Sequence, residues 1–307
     1  MGTIKAMRVH CTFISLLLLS PCIAHAACSA LDYRGKRLGP VRDQGASQWC
    51  FAYSAADLIS YESGQQVSAS GIALNYLAGG VNIFDKVFHG RGDDGKGFAS
   101  EAIESSRKTG ACLEEHLKSD PQAFREYIIL RGKDFKLDPL AQKYWDICHK
   151  PTCREGFQSS LFPIENFCDV WEIVSGGKLT SNESLAKRAD LLCGPKVKFA
   201  SAPPTYQISN IANPNFRKWF DTALESGRPV EIGYSDYIWS ADQGATHSSL
   251  VVARRSVGAR CKYLVRGSYG PTCKGVDARF ECEKLDPGNV WVDGDQLFKY
   301  VDEATYF

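Results

Sequence analysis

Residues 39–56 have the sequence GPVRDQGASQWCFAYSAA, and this stretch determines the fold expected for the chain. Glycine, proline and aspartate make its first part turn-rich, and Cys50 then opens a helical pattern of small and apolar residues that ends at Gly64. A thiol at a helix N-terminus lies beside unsatisfied backbone N–H groups and the positive end of the helix dipole, and both favour the thiolate. The stretch therefore predicts a cysteine nucleophile at Cys50.

Gln44 lies six residues before Cys50 and is the second candidate in this segment. Its side-chain N–H, together with the backbone N–H of Cys50, is expected to stabilise an oxyanion. The segment resembles the active-site segment of papain-like cysteine peptidases, in which Gln-Gly and four further residues precede Cys, aromatic, Ala, aromatic, Ser. The resemblance implies an α+β fold of two lobes, with a helical N-terminal lobe, an antiparallel sheet or barrel in the C-terminal lobe, and the active-site cleft between them.

A cysteine nucleophile needs a general base, and histidine is the usual one. Residues 27–307 contain His89, His116, His149 and His247. A lone histidine is more often structural, but His247 stands at the head of the apolar run that continues to residue 253. This is also the position, after a helix, a Pro-Val strand and a loop, where the resemblance to papain-like peptidases places the base. We therefore predict that His247 is the catalytic base.

The resemblance also implies a third group, an Asn that orients the histidine within an Asn-Ser-Trp-Gly element. This chain has Gly267-Ser268-Tyr269-Gly270 at the corresponding place, after the apolar run 263–266. Gly267 thus stands where the orienting Asn is expected, and Tyr269 takes the shielding aromatic position at the edge of the cleft. Because the third member positions the base and transfers no proton, its loss is expected to weaken catalysis without abolishing it. Ser268 or a water molecule is the candidate substitute.

The glycine-rich run 90–97 continues directly into Phe98 and a helical pattern that ends at Gly110. No Gly-Lys-Ser/Thr follows, which argues against a phosphate-binding loop. By resemblance, Gly97 and Phe98 are expected to line the substrate cleft. The alternative is an ordinary surface loop, which is the usual setting of clustered glycines.

Residues 1–26 are predicted to be a signal peptide, because a basic start precedes a short apolar run and the sequence Ala-His-Ala. Residues 27–307 then form one peptidase domain, secreted or periplasmic, and no later apolar run is long enough for a membrane span. The formal net charge of +1, without a basic block, argues against nucleic acid as a partner. A peptide or protein substrate is expected, whereas the oligomeric state is left open.

The chain has 12 cysteines, of which ten lie beyond residue 26. Most of these are expected to be paired in an exported protein, and Cys273 and Cys282 are close enough for a local disulfide loop. Five disulfides that include Cys50 are the alternative that suits the even count. Four cysteines fall in an enlarged segment at about 113–200, where His149 between Cys148 and Cys153 matches no zinc signature. We therefore predict a disulfide-pinned insertion, with no metal and no organic cofactor.

The second half of the chain supports the α+β class independently of the resemblance. Asn213 and Pro214 are an N-cap and a first helical residue, and the apolar face that follows ends at Gly227. Apolar or alternating patterns predict strands at 230–234, 248–253, 262–266 and 290–292. Helices thus dominate the N-terminal half and strands the C-terminal half.

Three hypotheses of function remain open from the sequence. The leading one is an exported thiol-dependent peptidase with Cys50 as nucleophile, His247 as base and Gln44 at the oxyanion. The second, suggested by Gly267, is a non-catalytic protein of the same fold that binds peptides or an exported partner. The third is another Cys/His enzyme, such as a cell-wall amidase or a transglutaminase-like protein.

Overall fold

The computed structural model describes most of the two ends of the chain and little of its middle. The described residues are 28–35, 37–45, 47, 49–78, 97–119, 190, 193–199, 205–208, 213–235, 238, 246–274 and 276–307. The predicted signal peptide, His89, His149 and most of the predicted insertion lie outside them. The disulfide between Cys112 and Cys193 joins the two ends of that insertion.

Three helices form the N-terminal part of the described structure. They are α1 (Cys50–Ser63), α2 (Ala69–Ala78) and α3 (Ala99–Thr109). Helix α1 begins at the predicted residue and ends at Gly64, which adopts the left-handed conformation (φ 71°) that favours glycine. From Phe51 to Ser60 every residue of α1 is buried, so this helix is packed on all sides and forms the centre of the helical region.

Eight strands form one antiparallel sheet, with β1 added beside β4 on the path β2-β8-β3-β4-β5-β7-β6. The strands are β1 (Leu31–Asp32), β2 (Thr205–Ile208), β3 (Val230–Ser235), β4 (Thr246–Val257), β5 (Arg260–Arg266), β6 (Glu281–Cys282), β7 (Asn289–Asp293) and β8 (Val301–Tyr306). The four predicted strands correspond to β3, β4, β5 and β7. Strands β4 and β5 are paired antiparallel and joined by a tight turn after Val257, whereas β8, the last strand, returns to pair with β2 and β3.

Two further helices, α4 (Pro214–Glu225) and α5 (Gly294–Tyr300), complete the described fold. Asn213 caps α4 as predicted, since its side chain accepts a hydrogen bond from the backbone N–H of Asn215. One hydrophobic core lies between α1, α2, α3 and one face of the sheet, and a second contains residues of α4, α5 and the other face. Both faces of the central strands are therefore covered.

The predicted α+β class is confirmed, with helices concentrated before residue 110 and an antiparallel sheet after residue 204. Cys28–Cys261 and the predicted Cys273–Cys282 pair are also disulfides. Across the described ranges, none of the helices has both the length and the hydropathy needed to cross a membrane.

Candidate active site

Cys50 is the first residue of α1 and is partly exposed. It belongs to none of the three disulfides between described residues, whereas Cys148, Cys153 and Cys168 lie outside those residues, so the alternative that pairs every cysteine is not tested. Trp49 occupies the N-cap position and makes no side-chain hydrogen bond to the helix. Because the N-cap residue carries no negative charge, the positive end of the α1 dipole acts on the thiol of Cys50.

The loop before Cys50 is hydrogen-bonded to the segment that follows β5. The Gln44 N–H donates to the Ser268 carbonyl at 2.7 Å, and the Gly270 N–H donates to the Arg42 carbonyl at 3.0 Å. Asp43 and Tyr269 form an antiparallel bridge between these two bonds. Two segments more than 220 residues apart in the sequence are thus brought together.

The Gln44 side chain is buried within this pairing. Its Oε1 accepts a hydrogen bond from the Ser268 hydroxyl, and its Nε2 donates to the Ser47 carbonyl at 2.7 Å. An amide nitrogen carries two hydrogens, so these contacts fix the amide plane and engage one of the two N–H groups. Because the Ser268 hydroxyl donates its hydrogen to Gln44, that hydrogen is not directed at the base.

His247 is the second residue of β4 and is only 5% exposed. The Tyr269 ring is stacked on its imidazole, with centroids 5.0 Å apart and an interplanar angle of 10°. The Tyr269 hydroxyl oxygen lies 3.3 Å from His247 Nδ1, and the Tyr234 ring meets the imidazole edge-on at 5.5 Å. Burial lowers the pKa of His247 to about 4, so the imidazole is neutral at pH 7.

Gly267 has a steric reason to lack a side chain. Its N–H donates to the Gly288 carbonyl oxygen at 2.9 Å, and a Cβ added at Gly267 would also lie 2.9 Å from that oxygen. An Asn at this position therefore requires the Gly288 turn to move. Tyr269, two residues after Gly267, instead contacts His247 Nδ1, a contact that goes beyond the shielding and substrate-cleft roles predicted for it.

A chain of hydroxyl groups connects the first turn of α1 to the start of β4. Ser54 donates to the Cys50 carbonyl at 3.1 Å, and its oxygen also contacts the hydroxyl oxygen of Ser248. Ser248 directly follows His247 in β4. The helical turn that carries Cys50 and the strand end that carries His247 are thereby held against each other.

Gly97 and Phe98 immediately precede α3. A Cβ at Gly97 would lie 2.4 Å from the Tyr76 ring and 2.9 Å from the Phe51 ring, so the backbone is packed against two aromatic side chains. Phe51 directly follows Cys50, which places Gly97 near the start of α1. The expected substrate-lining role of Gly97 and Phe98 stays a prediction.

Sequence reasoning missed a buried ionic cluster that supports the site. Asp57, two turns into α1, accepts from Arg42 Nη2 at 2.5 Å and from Arg266 Nε at 2.8 Å. Burial by itself would raise the pKa of Asp57, but Arg266 and Arg42 hold it below its usual value. Arg42 lies two residues before Gln44 and Arg266 two residues before Ser268, so the cluster fixes both sides of the loop pairing.

Metal ligands are not grouped in the part of the chain that the structure describes, where no three His, Cys, Asp or Glu side chains come together as a metal site requires. The segment with Cys148, His149 and Cys153 lies outside that part. The absence of a metal or an organic cofactor stays a prediction for the whole chain.

Comparison with known proteins gives a mixed result. No protein-family model matches the chain, and no curated protein does. Several solved structures have a similar backbone structure. One is xylellain, a cysteine protease from Xylella fastidiosa, which is 15% identical in sequence with a TM-score of 0.48, and the match covers 90% of this chain and 85% of xylellain. The digestive procathepsin L 3 of Tenebrio molitor has 11% identity and a TM-score of 0.44, covering 90% and 69%.

A Carica candamarcensis cysteine protease solved with E-64 has 13% identity and a TM-score of 0.44, covering 91% of this chain and 97% of that one. At these identities and TM-scores, similarity assigns neither family nor activity to this chain. Any function of this chain is therefore inferred from the residues of the site itself.

Replacing Tyr269 with leucine is expected to raise the pKa of His247 from about 4 toward its ordinary value of about 6.5. Tyr269 is 48% exposed and covers one face of the imidazole, so its removal admits water and weakens the desolvation that lowers the pKa. Titration of the ring signals of isotope-labelled histidine by NMR measures this value, with His247→Ala to assign the resonance.

Tyr269→Phe is the matched control, because it keeps the stacked ring and removes only the hydroxyl. It is expected to keep the pKa of His247 low. If Tyr269→Leu leaves the pKa near 4, the stacked ring is not what excludes water from the imidazole.

Proposed function

We propose that this chain is a thiol-dependent peptidase of the papain-like kind, with Cys50 as nucleophile and His247 as base. The observation that carries the proposal is the pairing of residues 42–44 with 268–270. This pairing fixes Gln44 beside the α1 N-terminus and stacks Tyr269 on His247. The thiol, the imidazole and the amide are the groups that acyl transfer from a peptide bond requires.

In the proposed reaction, the sulfur of Cys50 attacks the peptide carbonyl carbon while His247 accepts the thiol proton. The resulting oxyanion is stabilised by the second N–H of the Gln44 amide and by the Cys50 backbone N–H. His247 then returns the proton to the departing amine, which leaves a thioester on Cys50. A water molecule attacks the thioester with His247 again as base, so the acid product is released and the thiol is restored.

The protonation state of His247 decides whether it can accept the Cys50 proton in the first step. With the pKa of His247 lowered to about 4 by burial, the ring is unprotonated at neutral pH and has a free site for the thiol proton. The same burial disfavours the imidazolium that forms, so the negative charge developing on the substrate oxygen has to stabilise it. The α1 dipole stabilises the developing thiolate on the other side. Tyr269 is the positioning residue for the base in place of the absent Asn, because it restricts the ring by stacking and by its hydroxyl.

The natural substrate is proposed to be a peptide or protein that contacts Gly97, Phe98 and Tyr269 along the cleft. Export to the periplasm or the outside of the cell is part of the proposal and depends on the predicted signal peptide 1–26. The three disulfides of the described structure are compatible with an oxidising compartment.

Alkylation tests the proposal most directly. Iodoacetamide at pH 6 is expected to label Cys50 at least ~10-fold faster than it labels glutathione, because a thiolate at a helix N-terminus persists below the ordinary thiol pKa. Peptide mass analysis identifies the labelled residue, and hydrolysis of casein or of a fluorogenic peptide is followed in the same samples. Hydrolysis should fall in proportion to the labelled fraction.

A binding protein without catalytic activity is the second candidate, and the absence of a side chain at Gly267 favours it. Slow labelling of Cys50 at pH 6 together with no hydrolysis would support this candidate and refute the peptidase. Activity on peptidoglycan with none on casein would instead support a cell-wall amidase.

A further inference from the structure

Glu231 is a buried carboxyl group that the proposed reaction does not use. It lies on β3, is 1% exposed, and is opposite Leu250 of β4 and Thr305 of β8 in the sheet register. A buried carboxylate normally pairs with a cation. Here the polar neighbours are hydroxyl groups instead: Ser248 Oγ lies 2.7 Å from Glu231 Oε1, and Thr305, opposite Glu231 in β8, also interacts with the carboxyl group.

The contact continues through the hydroxyl chain to the helix. Ser248 Oγ contacts Ser54 Oγ, and Ser54 Oγ lies 3.1 Å from the carbonyl oxygens of both Cys50 and Phe51. Three oxygen–oxygen contacts therefore connect Glu231 to the first turn of α1. All three lie in the buried layer between the sheet and that helix, where an unsatisfied polar group is costly.

Counting hydrogens shows which protonation state of Glu231 allows all three contacts to be hydrogen bonds. A carbonyl only accepts, so in such a chain Ser54 donates to the helix, Ser248 donates to Ser54, and a protonated Glu231 donates to Ser248. An ionised Glu231 instead accepts from Ser248, and the contact between Ser248 and Ser54 then takes the Ser54 hydrogen away from the Cys50 carbonyl. If Glu231 is ionised, the chain has two hydrogens for three contacts, and one link is broken.

The surroundings of Glu231 also favour the protonated carboxylic acid. Burial, together with the nearby carboxyl of Glu303 on β8, raises the pKa of Glu231 to about 8, although hydrogen bonds from Ser248 and Thr305 to the carboxylate oppose the shift. Other ionisable side chains on the elements packed against this position include His247, Arg254 and Arg255 of β4, Asp302 of β8, and Cys50, Tyr53, Asp57 and Glu62 of α1. Asp57 is engaged by Arg42 and Arg266.

We propose that Glu231 is a positioning residue whose carboxylic acid proton completes a hydrogen-bond chain through Ser248 and Ser54 to the Cys50 carbonyl. The chain holds the turn that bears the nucleophile against the strand end that bears His247. Ionisation of Glu231 removes one hydrogen from the chain and loosens this contact. The catalytic consequence rests on the proposed peptidase function, whereas the effect on stability does not.

Glu231→Gln tests the proposal, because its amide N–H donates to Ser248 as the acid does and does not ionise. The folded protein favours the protonated acid, whereas an unfolded glutamate ionises near pH 4.5, so the stability from Glu231 is complete below pH 4.5 and is lost as the pH rises to about 8. Melting temperatures of both proteins are measured from pH 5 to pH 9. They should agree at pH 5, and Glu231→Gln should melt at least ~5 °C higher above pH 8.

Two further variants keep the test decisive. Glu62→Gln, at an exposed position of the same α1 helix, should follow the unmodified protein at every pH. Glu303→Gln should shift the loss of stability to lower pH, because it removes the neighbouring carboxylate that disfavours ionisation of Glu231. Parallel melting curves for the unmodified protein and Glu231→Gln from pH 5 to pH 9 would overturn the proposal.

The positioning role of Glu231 is tested separately, by measuring how kcat depends on pH. In the unmodified protein kcat should fall above pH 8 with KM unchanged, and Glu231→Gln should retain its kcat there. If the melting curves behave as expected but kcat of both proteins has the same alkaline limb, Glu231 affects stability alone and the positioning role is wrong. If no variant hydrolyses any peptide at any pH, the proposed function fails while the melting curves still decide the state of Glu231.

Discussion

Replacing Cys50 with alanine is expected to lower kcat/KM for a peptide substrate by at least ~10⁴-fold, because no other group in the site forms the thioester. Cys50 is the first residue of α1 and is partly exposed, so the smaller side chain leaves no large cavity. Alanine is also the best helix former, and the fold should be unchanged. The measurement is hydrolysis of a fluorogenic peptide under reducing conditions, with circular dichroism to verify the fold.

Cys50→Ser is the matched variant, since it keeps the size of the side chain and replaces the thiol with a poorer nucleophile. It should be as inactive as Cys50→Ala within the limit of detection. Hydrolysis that persists in both variants would place the nucleophile elsewhere and end the peptidase proposal for this site.

Much of the fold was predictable because its signals are local. The start of α1 at Cys50, its end at Gly64 and the cap of α4 at Asn213 depend on residues within one turn of each terminus. Apolar runs likewise gave β3, β4, β5 and β7 within a few residues. Such signals act along the chain and need no tertiary information.

The supporting layer of the site was not predictable, because it depends on contacts between distant segments. Glu231 follows Val230 in an alternating strand, a pattern that ordinarily places the polar residue in water. In the structure helices or other chain segments cover both faces of the central strands, so Glu231 is buried beside α1. Asp57 is similar: one acidic residue in an apolar helix gives no indication that Arg42 and Arg266 meet at it.

Gly267 shows how the two kinds of information combine. By resemblance, the sequence placed Gly267 where an orienting Asn was expected, and in the structure the Gly288 carbonyl occupies the space that a side chain at this position would need. Tyr269, two residues after Gly267, stacks on the imidazole of His247 and lies close to its Nδ1. A departure from a family pattern can thus be accompanied by a compensating contact that only the packing reveals.

Replacing Asp57 with alanine is expected to have the largest effect on stability, lowering the free energy of unfolding by ~3–5 kcal/mol. The change removes the carboxylate that Arg42 and Arg266 share, which leaves the buried Arg266 without a carboxylate, whereas the partly buried Arg42 keeps its ion pair with Glu114. Arg266 also donates to the carbonyl groups of Leu38, Gly39 and Pro40, so the loop leading to Gln44 should loosen as well. Urea unfolding at pH 7, followed by fluorescence, gives the free energy and its slope.

The control is Asp295→Ala, which removes an exposed ion pair with Arg217 and should change stability far less. The pH dependence separates the charge from the packing. Because Asp57 has a lowered pKa in the folded protein, the stability that it provides is present above the pKa of the unfolded chain and is lost as the pH falls through the folded value. The difference between the unmodified protein and Asp57→Ala should therefore shrink toward acid pH. A loss below ~1 kcal/mol at pH 7 would mean that water or neighbouring carbonyl groups satisfy both arginines, and the cluster would then not hold the loop.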